Sequence, residues 1–343
     1  MRGPVLYAVH PKRHAEHMRV RFVAADGVHD RPSNDVVTLL GRDDGFVWVD
    51  VPVWDDEVDS FLHGLGCHPK VIEACSRRNH VPTVHSYPDH WFITMHAPLL
   101  GEAGHVHLLE VDLIVGDRYL VTVHGPLNPK VPVEAALQET DGVRHRIEQS
   151  RFAPKTPAEV AYAVASGVAR SQRALIGDVA ERLPGLEQHV MQSQLTEPEA
   201  VLERMFLIRH ELLTARTMAA QTHDVCARIG SLDRWVPDQS RELARDLADQ
   251  FDRVRSVADG ESQFLFGVIE LYQTKVNTKM TVAMERLAVI AAVTLPITAI
   301  ASVLGMNLIF LGGTNWVGLT IALAIMLSIS LLLLRWARRQ GWW

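Results

Sequence analysis

One helical stripe of small and weakly polar residues has the spacing needed to line a path for an ion. Steps of three and four residues connect Met284, Ala288, Ala291, Leu295, Thr298, Ser302 and Gly305. This heptad spacing places them on one face of a helix. The opposite positions are bulky: Val289, Val293, Ile297 and Ile300. Such a stripe lines a water-filled pore or, alternatively, allows close packing against another membrane helix.

Histidines are the second group of residues with metal-binding chemistry. Of the 17 histidines, 13 lie within the first 124 residues. His10, His14 and His17 have helical spacing, and His105 and His107 would share one face of a strand. Imidazole binds zinc, cobalt and nickel, so either group could hold a transition metal. The alternative is that the histidines are scattered through loops and reflect composition alone.

Composition argues against several other classes of function. The 343-residue chain has a formal net charge of −6, which argues against a nucleic-acid-binding protein. Three cysteines without a CxxC pair cannot build a disulfide framework or a zinc ribbon. The sequence contains no Gly-rich phosphate loop and neither of the catalytic motifs HExxH and GxSxG. We therefore do not expect an enzyme.

The stripe lies in a long run without charged residues. Residues 287–334 contain no Asp, Glu, Lys, Arg or His, and a polar, glycine-rich segment at 312–315 divides them. Each apolar part has about 18–20 residues, enough to cross a bilayer core of about 30 Å as a helix. We expect two transmembrane helices, at 287–307 and 316–334, joined by an external loop at 308–315. A buried helical hairpin of a soluble protein is the alternative.

Positive charges beside this run predict its orientation. Arg335, Arg338 and Arg339 follow the second span, and positive residues stay on the cytoplasmic side of a membrane. The N-terminus lacks the apolar segment of a signal peptide. We therefore expect a multi-pass protein of the cell (inner) membrane, with a basic cytoplasmic tail at 335–343 and both termini in the cytoplasm.

The residues before the first span are expected to form two cytoplasmic domains. Residues 1–155 read as an α/β domain, and residues 156–286 as a helical domain with a break or kink at Pro184. After Ser240 no proline occurs before Pro296, so one long stalk helix should run into the first span. The predicted short strands are 35–40, 46–51, 90–96, 107–115 and 119–124, and the predicted short helices are 55–65 and 69–76.

The tripeptide Gly305-Met306-Asn307 ends the first span. After a long helix and an α/β domain, it makes the chain resemble the CorA family of divalent-cation channels and transporters, in the two-TM-GxN superfamily. The similarity is concentrated in residues 295–307, where the family has an apolar-Pro-Leu-Thr segment, small residues and then GMN. Weaker similarities occur at 48–51, at His68-Pro69 with Glu73, and at 120–124.

The resemblance implies a homopentamer in membrane lipid, with a cytoplasmic funnel and a pore formed by the first spans. Gly305, Met306 and Asn307 would form the selectivity filter, where five neutral Asn307 amides hold a hydrated Mg2+ ion without trapping it. Leu295, with Met284 or Leu287, would form apolar rings that block flow. The full implied pore lining is Thr281, Met284, Leu287, Ala288, Ala291, Leu295, Thr298 and Ser302.

The resemblance also implies regulation by cytoplasmic ions. In the family, divalent cations bridge carboxylates of neighbouring subunits and hold the channel closed. Asp246 falls on the helix position of such a site, Asp249 is its neighbour, and Glu102 is the acid nearest the loop position. Because paired carboxylates repel until a cation neutralises them, Mg2+ would be both substrate and regulatory ligand. For each single acid, the alternative is a solvated surface residue.

Two departures from the family pattern leave the transported ion open. The segment after the GMN tripeptide has no carboxylate, whereas magnesium-selective members commonly have an acidic loop there. Glu285 stands where the family often has Lys, and it could attract cations or pair with Arg286. The first hypothesis is a channel for Mg2+ that also passes Co2+ or Ni2+. The second is a Zn2+ transporter coupled to protons, and the third is a membrane-tethered scaffold.

Overall fold

The computed structural model describes residues 18–126, 128–192, 198–231, 237–305 and 316–339. These residues divide into two compact units. Unit 1 contains residues 18–188 and 198–266, and unit 2 contains residues 189–192 and 267–339, within the described ranges.

Unit 1 is built on a mixed seven-stranded sheet. Its spatial order is β2-β1-β3-β7-β6-β5-β4, where β3 and β7 are parallel and the other neighbouring pairs are antiparallel. The strands are β1 (Arg19–Ala24), β2 (Gly27–Arg31), β3 (Gly45–Val51), β4 (Thr83–Ser86), β5 (His90–Leu100), β6 (Val106–Gly116) and β7 (Tyr119–Val123).

Five short helices accompany the strands, and side-chain caps start two of them. Asp55 Oδ1 accepts a hydrogen bond of 2.9 Å from the backbone N–H of Val58. His68 Nδ1 accepts one of 3.2 Å from the N–H of Lys70, with Pro69 in the first turn. The helices are α1 (Val36–Leu40), α2 (Asp56–Gly64), α3 (Pro69–Cys75), α4 (Val133–Ala136) and α5 (Gln138–Glu148).

Four long helices follow: α6 (Pro157–Gln192), α7 (Pro198–Gly230), α8 (Asp238–Gly305) and α9 (Trp316–Arg339). The single helix of 68 residues confirms the predicted long helix. Pro184 does not end α6 as a break would, although it leaves the carbonyl of Ala180 without its helical partner.

The alternation of side chains along β3 supplies two apolar cores, one on each face of the sheet. Phe46 and Trp48 belong to the core that includes Val164 of α6 and Phe251 of α8. Val47 and Val49, with their side chains on the other face, belong to the core that includes buried residues of α1, α2 and α3. Because both faces are covered, the central strands β3 and β7 are almost wholly buried, which is typical of an α/β domain.

The sequence predicts the central elements well and the edge of the sheet poorly. Strands at 46–51, 90–96, 107–115 and 119–124 and helices at 55–65 and 69–76 are confirmed, although β5 is longer than expected. The strand predicted at 35–40 is wrong: Ser33–Asp35 is a 3-10 helix and Val36–Leu40 is α-helical. Val36 and Leu39 are the buried residues there, and that three-residue step is a helical period.

The segments with weak family similarity pack against one another in unit 1. Asp50 of β3 lies beside Thr122 of β7, and the Thr122 hydroxyl donates a 2.6 Å hydrogen bond to Asp50 Oδ1. His124 Nε2 lies 3.0 Å from the same oxygen, and all three side chains are buried. Burial would raise the pKa of Asp50, but His124 and Arg21 hold it below its usual value. This network joins two parallel strands, so its role is structural.

Unit 2 contains the C-terminal part of α8, the helix α9 and the last residues of α6. Lys275 Nζ donates hydrogen bonds of 2.7 Å and 2.6 Å to the backbone carbonyls of Val190 and Met191. These are terminal carbonyls of α6, where a cation also interacts favourably with the helix dipole. Lys275 therefore caps the end of α6 within unit 2.

Candidate functional site

The predicted pore-lining residues share one exposed side of α8. Leu295 has 67% of its surface exposed, whereas Val289, on the opposite side, has 5%. The more covered side also carries four half-buried residues: Glu285, Val293, Ile297 and Ile300. The exposed set is Thr281, Met284, Leu287, Ala288, Ala291, Leu295, Thr298 and Ser302. The covered side therefore carries bulky residues, whereas the exposed side carries small and weakly polar residues together with the apolar Met284, Leu287 and Leu295.

The threonines on this open side use their hydroxyl protons within the helix. Thr281 Oγ1 donates 3.0 Å to the carbonyl of Asn277, and Thr298 Oγ1 donates 2.9 Å to the carbonyl of Thr294. Each oxygen then keeps its lone pairs as acceptors. Both side chains can accept hydrogen bonds from water molecules around a cation.

Pro296 adds one backbone acceptor near the same side. It lies inside α8 and is itself half-buried, while Ala292 is exposed. A proline has no N–H, so the carbonyl of Ala292 lacks its usual helical donor. This carbonyl is available to water or to a neighbouring helix.

The structure describes the predicted filter only in part. Gly305 is the last residue of α8. Met306, Asn307 and the predicted external loop 308–315 lie outside the described residues.

The exposed side continues beyond the stripe to a carboxylate that the sequence analysis did not include. Further steps of three and four residues from Thr281 lead to Asn277, Thr274 and Glu270, all exposed. Extending the heptad toward the N-terminus would have identified Glu270. By contrast, Glu285 lies on the more covered side, and no ion pair joins it to Arg286 in the described part of the chain.

The predicted regulatory acids lie in unit 1. Asp246 and Asp249 are exposed on α8. The Tyr162 hydroxyl donates 2.6 Å to Asp246 Oδ2, and Gln250 Nε2 donates 2.6 Å to the same oxygen. The hydrogen bond from Tyr162 and then that from Gln250 lower the pKa of Asp246, so the carboxylate is charged at neutral pH.

Glu102 is not joined to these two acids within one chain. It starts the 3-10 helix Glu102–Gly104 and is exposed. Among the described residues, no group of three or more His, Cys, Asp or Glu side chains is arranged to hold a metal ion. The regulatory site that combines Asp246 with Glu102 therefore stays a prediction.

The histidine predictions have a mixed outcome. His10, His14 and His17 lie outside the described residues. The rings of His105 and His107 lie with centroids 4.7 Å apart, edge to face, near the start of β6. Asn128 Oδ1 accepts a hydrogen bond from the N–H of Lys130, so its Nδ2 faces His107 Nδ1 at 3.4 Å. This leaves His107 Nδ1 engaged by a neighbouring amide.

Two buried acids on β6 form a separate cluster. Thr94 Oγ1 donates 2.6 Å to Asp112 Oδ1, and the backbone N–H of Asn79 donates 2.7 Å to Glu110 Oε2. Burial raises the pKa of Asp112 well above its usual value, and the adjacent Glu110 adds to this; burial likewise raises the pKa of Glu110. Like-charged buried carboxylates disfavour ionisation, so we expect this pair to hold a proton.

Length and composition identify one described helix able to cross a membrane. It covers Asp238–Val303, and only 6% of its most apolar window is buried. In α9 the described side chains Leu323, Leu327 and Leu331 are each more than half exposed. Apolar surface of this extent needs a partner or lipid.

The sequence of this chain is similar to those of known proteins. The sequence profile described as "CorA-like Mg2+ transporter protein" matches residues 43–339. A relative from Bacillus subtilis (strain 168), "Putative metal ion transporter YfjQ", is 25% identical over 308 residues, covering 88% of this chain and 91% of the relative. "Cobalt/magnesium transport protein CorA" from Thermotoga maritima is 24% identical over 288 residues, covering 81% and 77%.

A third relative and a solved structure extend the comparison. "Zinc transport protein ZntB" from Yersinia pseudotuberculosis is 25% identical over 186 residues, covering 52% of this chain and 54% of the relative. The structure of the CorA magnesium transporter from Methanocaldococcus jannaschii has a TM-score of 0.78 at 16% identity, covering 96% of this chain and all of that one. The α/β domain and the long helix thus have the CorA fold. The chain therefore belongs to the CorA-like Mg2+ transporter family, whose members are divalent-cation transporters of the cell membrane and not enzymes.

Proposed function

We propose that this chain moves Mg2+ across the cell membrane through a pore lined by the open side of α8, and that Co2+ or Ni2+ can also pass. The observation that carries the proposal is that the predicted pore-lining residues are all exposed on one side of α8, whereas Val289, Val293, Ile297 and Ile300 on the other side are buried or half-buried.

The pore requires several copies of the chain. One α8 helix cannot enclose a water-filled path, so the open sides of several helices must face a common axis. The family resemblance supports a homopentamer in membrane lipid, with five α8 helices around the axis. In that arrangement Thr281, Ala288, Ala291, Thr298 and Ser302 line a path wide enough for a hydrated ion.

Selection of the ion is assigned to Gly305, Met306 and Asn307. Mg2+ loses its water reluctantly, so a ring of neutral amide oxygens that contacts the hydration shell suits it better than a cage of carboxylates. Five Asn307 side chains supply such a ring. Leu295, Met284 and Leu287 supply apolar rings that interrupt the water column when the pore narrows.

Glu270 would form a ring of carboxylates on the cytoplasmic side of the pore. It lies on the continuation of the open side of α8 and is exposed. Five carboxylates around one axis raise the local concentration of divalent cations. The ring therefore acts on the rate of ion entry and on the exclusion of anions.

Regulation by cytoplasmic Mg2+ is assigned to Asp246, with Asp249 beside it and Glu102 from the neighbouring subunit. The residues fit a hydrated divalent ion: Asp246 is exposed, its Oδ2 accepts two hydrogen bonds, and its Oδ1 accepts none from the described residues. Mg2+ usually binds one or two carboxylates and keeps several waters. Bound cations would hold subunits together and keep the pore closed.

The proposed topology has two spans. Residues 1–155 and 156–286 form the cytoplasmic domains, 287–307 and 316–334 cross the membrane, and 308–315 are external. The cytoplasmic tail 335–343 carries Arg335, Arg338 and Arg339, which favour the inner surface. Both termini are then cytoplasmic.

A second candidate substrate is Zn2+, moved together with protons. The similarity to zinc transport proteins and the loop 308–315 without carboxylates favour it. Unlike Mg2+, Zn2+ accepts imidazole ligands readily, and unit 1 is rich in histidine.

Uptake into liposomes separates these substrates. The purified protein is reconstituted, and uptake of Mg2+, Co2+, Ni2+ and Zn2+ is followed with and without a proton gradient. Mg2+ uptake that does not depend on the gradient supports the proposal. Zn2+ uptake driven by the gradient supports the second candidate, and the absence of uptake for all four ions supports a membrane-tethered scaffold instead.

A further inference from the structure

A groove in unit 1, separate from the proposed ion pathway, is rich in arginine. Its volume is about 810 Å3, and it lies between β1, the end of β2 and α5. Four arginines and two aspartates line it: Arg19, Arg21, Arg31, Arg144, Asp30 and Asp141. The buried Asp50 carboxylate lies within 4.0 Å of two of these arginines, so the local excess is one positive charge. We refer to it as the arginine groove.

Arg21 is the buried member of the arginine groove. Its side chain is 4% exposed, and its guanidinium lies 5.1 Å from the ring centroid of Trp48. Its nearest carboxylate oxygens are Asp30 Oδ1, 3.5 Å from Nε, and Asp50 Oδ2, 4.0 Å from Nη1. Within the described ranges it donates no hydrogen bond. Its Nε is buried without a hydrogen-bond partner, which is costly unless water or a ligand accepts from it.

The other arginines of the groove also have more N–H donors than the nearby carboxylates can accept. Arg19 Nη1 and Arg144 Nε both approach Asp141 Oδ1, at 3.4 Å and 3.2 Å, so one carboxylate oxygen serves two cations. Arg144 Nη1 also donates 2.8 Å to Glu148 Oε1, and Arg19 Nη1 lies 3.9 Å from Asp50 Oδ2. Arg31 is exposed and forms no ion pair with the residues that the structure describes. The two aspartates of the groove therefore accept far fewer hydrogen bonds than its arginines offer.

The charges of the groove repel one another in the absence of an anion. Burial lowers the pKa of Arg21, and although Asp50 raises it, the nearby Arg144 and Arg19 lower it further. A ligand with negative charge would relieve this repulsion. The described lining is dominated by charged side chains, so we expect recognition through charge and hydrogen bonds.

We propose that the arginine groove binds a small phosphate-bearing anion. A phosphate monoester carries about −1.5 to −2 charges at pH 7, so the net positive charge of the groove attracts it. The planar fork of arginine binds phosphate oxygens in pairs, and several arginines around one space can share a phosphoryl group. Strands β1 and β2 lie before residue 43, where the family match begins, so part of this site is outside the matched segment.

Calorimetry on the full-length protein in detergent tests the proposal. The probes are inorganic phosphate, pyrophosphate and ADP, in metal-free buffer of low ionic strength so that no cation neutralises the ligand. Arg31→Gln and Arg21→Lys are compared with the unmodified protein. Arg77→Gln is the matched control because Arg77 follows α3, is exposed, lies outside the groove and pairs with Glu73.

We expect at least one probe to bind, and both groove variants to weaken it by about tenfold or more, since a hydrogen bond to a charged group contributes about 1.5–3 kcal/mol. If ADP binds more tightly than pyrophosphate, the groove recognises a nucleotide-like ligand. If the two bind equally, the groove recognises only the phosphate groups. The proposal is overturned if no probe binds at about 1 mM, or if binding is unchanged in Arg31→Gln. Arg31 is exposed and unpaired, so that variant stays informative even if Arg21→Lys fails to fold.

Discussion

The hydroxyl of Tyr162 on α6 donates a 2.6 Å hydrogen bond to Oδ2 of Asp246 on α8. This bond fixes the rotamer of an exposed carboxylate and leaves its Oδ1 without a partner among the described residues. A side chain already held in place has less conformational freedom to lose on binding an ion. In the proposed regulatory site, Tyr162 would thus position Asp246 for a ligand.

Asp246→Asn should reduce the sensitivity of the protein to cytoplasmic Mg2+. Without the charge, the proposed site binds the bridging Mg2+ more weakly, so closure requires a higher Mg2+ concentration. We expect the Mg2+ concentration that protects the protein from trypsin to rise several-fold, and Tyr162→Phe to produce a smaller rise. Asp178→Asn, an exposed acid on α6, is the control and should leave the midpoint unchanged. Equal midpoints for all variants would remove Asp246 from the regulatory site.

Asn307→Ala should abolish divalent uptake by liposomes. The methyl group offers no oxygen to the hydrated ion, and loss of one dipole per subunit removes the whole ring. The matched control is Asn315→Ala in the predicted external loop, which we expect to retain most of the uptake. Normal uptake by Asn307→Ala would rule out the filter assignment.

Ala291→Leu tests whether the open side of α8 faces water. Five isobutyl side chains in place of methyl groups would narrow the path and exclude water from it. We expect uptake to fall by at least about tenfold, which corresponds to a rise of about 1.4 kcal/mol in the barrier to ion passage. Ala324→Leu adds the same group to an exposed position of α9 and should have little effect. If the two variants transport equally, the stripe packs against a helix rather than lining a pore.

Glu270→Gln should slow ion entry in a salt-dependent manner. Removing five carboxylates lowers the local cation concentration, and we expect about tenfold slower Mg2+ flux at low ionic strength. High salt already screens these charges, so the difference should shrink there. Glu285→Gln is the control because Glu285 lies on the more covered side of α8. A deficit that is the same at every ionic strength would contradict an electrostatic role.

Asp112→Asn should stabilise unit 1 at neutral pH. Burial raises the pKa of Asp112 in the folded protein, so its contribution to the free energy of unfolding is most favourable at low pH and is lost as pH rises toward the folded pKa. The asparagine side chain of the variant does not titrate, so the variant does not lose stability in this way as pH rises. We expect its unfolding temperature to exceed that of the unmodified protein increasingly from pH 5 to pH 8, by about 2–4 °C per kcal/mol.

The control for this series is Asp224→Asn, an exposed acid on α7. Its difference from the unmodified protein should not depend on pH in this range. A constant offset for Asp112→Asn as well would mean that the buried carboxyl does not change its protonation between pH 5 and pH 8.

Most of the predictions made from the sequence rest on the regular spacing of residue types along helices and strands. The stripe from Met284 to Ser302 repeats over several turns, and its exposed side follows directly from that repeat. Strands β5, β6 and β7 were predictable because they are buried runs bounded by glycine or turn residues. These signals are local, so one sequence is sufficient to read them.

Contacts between distant segments were not predictable in the same way. The hydrogen bond from Tyr162 to Asp246 joins residues 84 positions apart, and the arginine groove joins β1 and β2 to α5. Arg21 is charged and lies in a strand that the sequence analysis did not assign, so neither hydropathy nor motif indicated its burial. Such sites depend on the order of strands in the sheet.

The internal hydrogen bonds of Thr281 and Thr298 have a consequence for the sign of the transported charge. With their protons committed to the helix, these hydroxyls present only lone pairs to the path. Water molecules around a cation point their hydrogens outward and can donate hydrogen bonds to these hydroxyl oxygens. Water molecules around an anion point their oxygens outward, and the hydroxyl lone pairs repel them. The lining can therefore discriminate against anions through the orientation of water, without any fixed charge in the membrane.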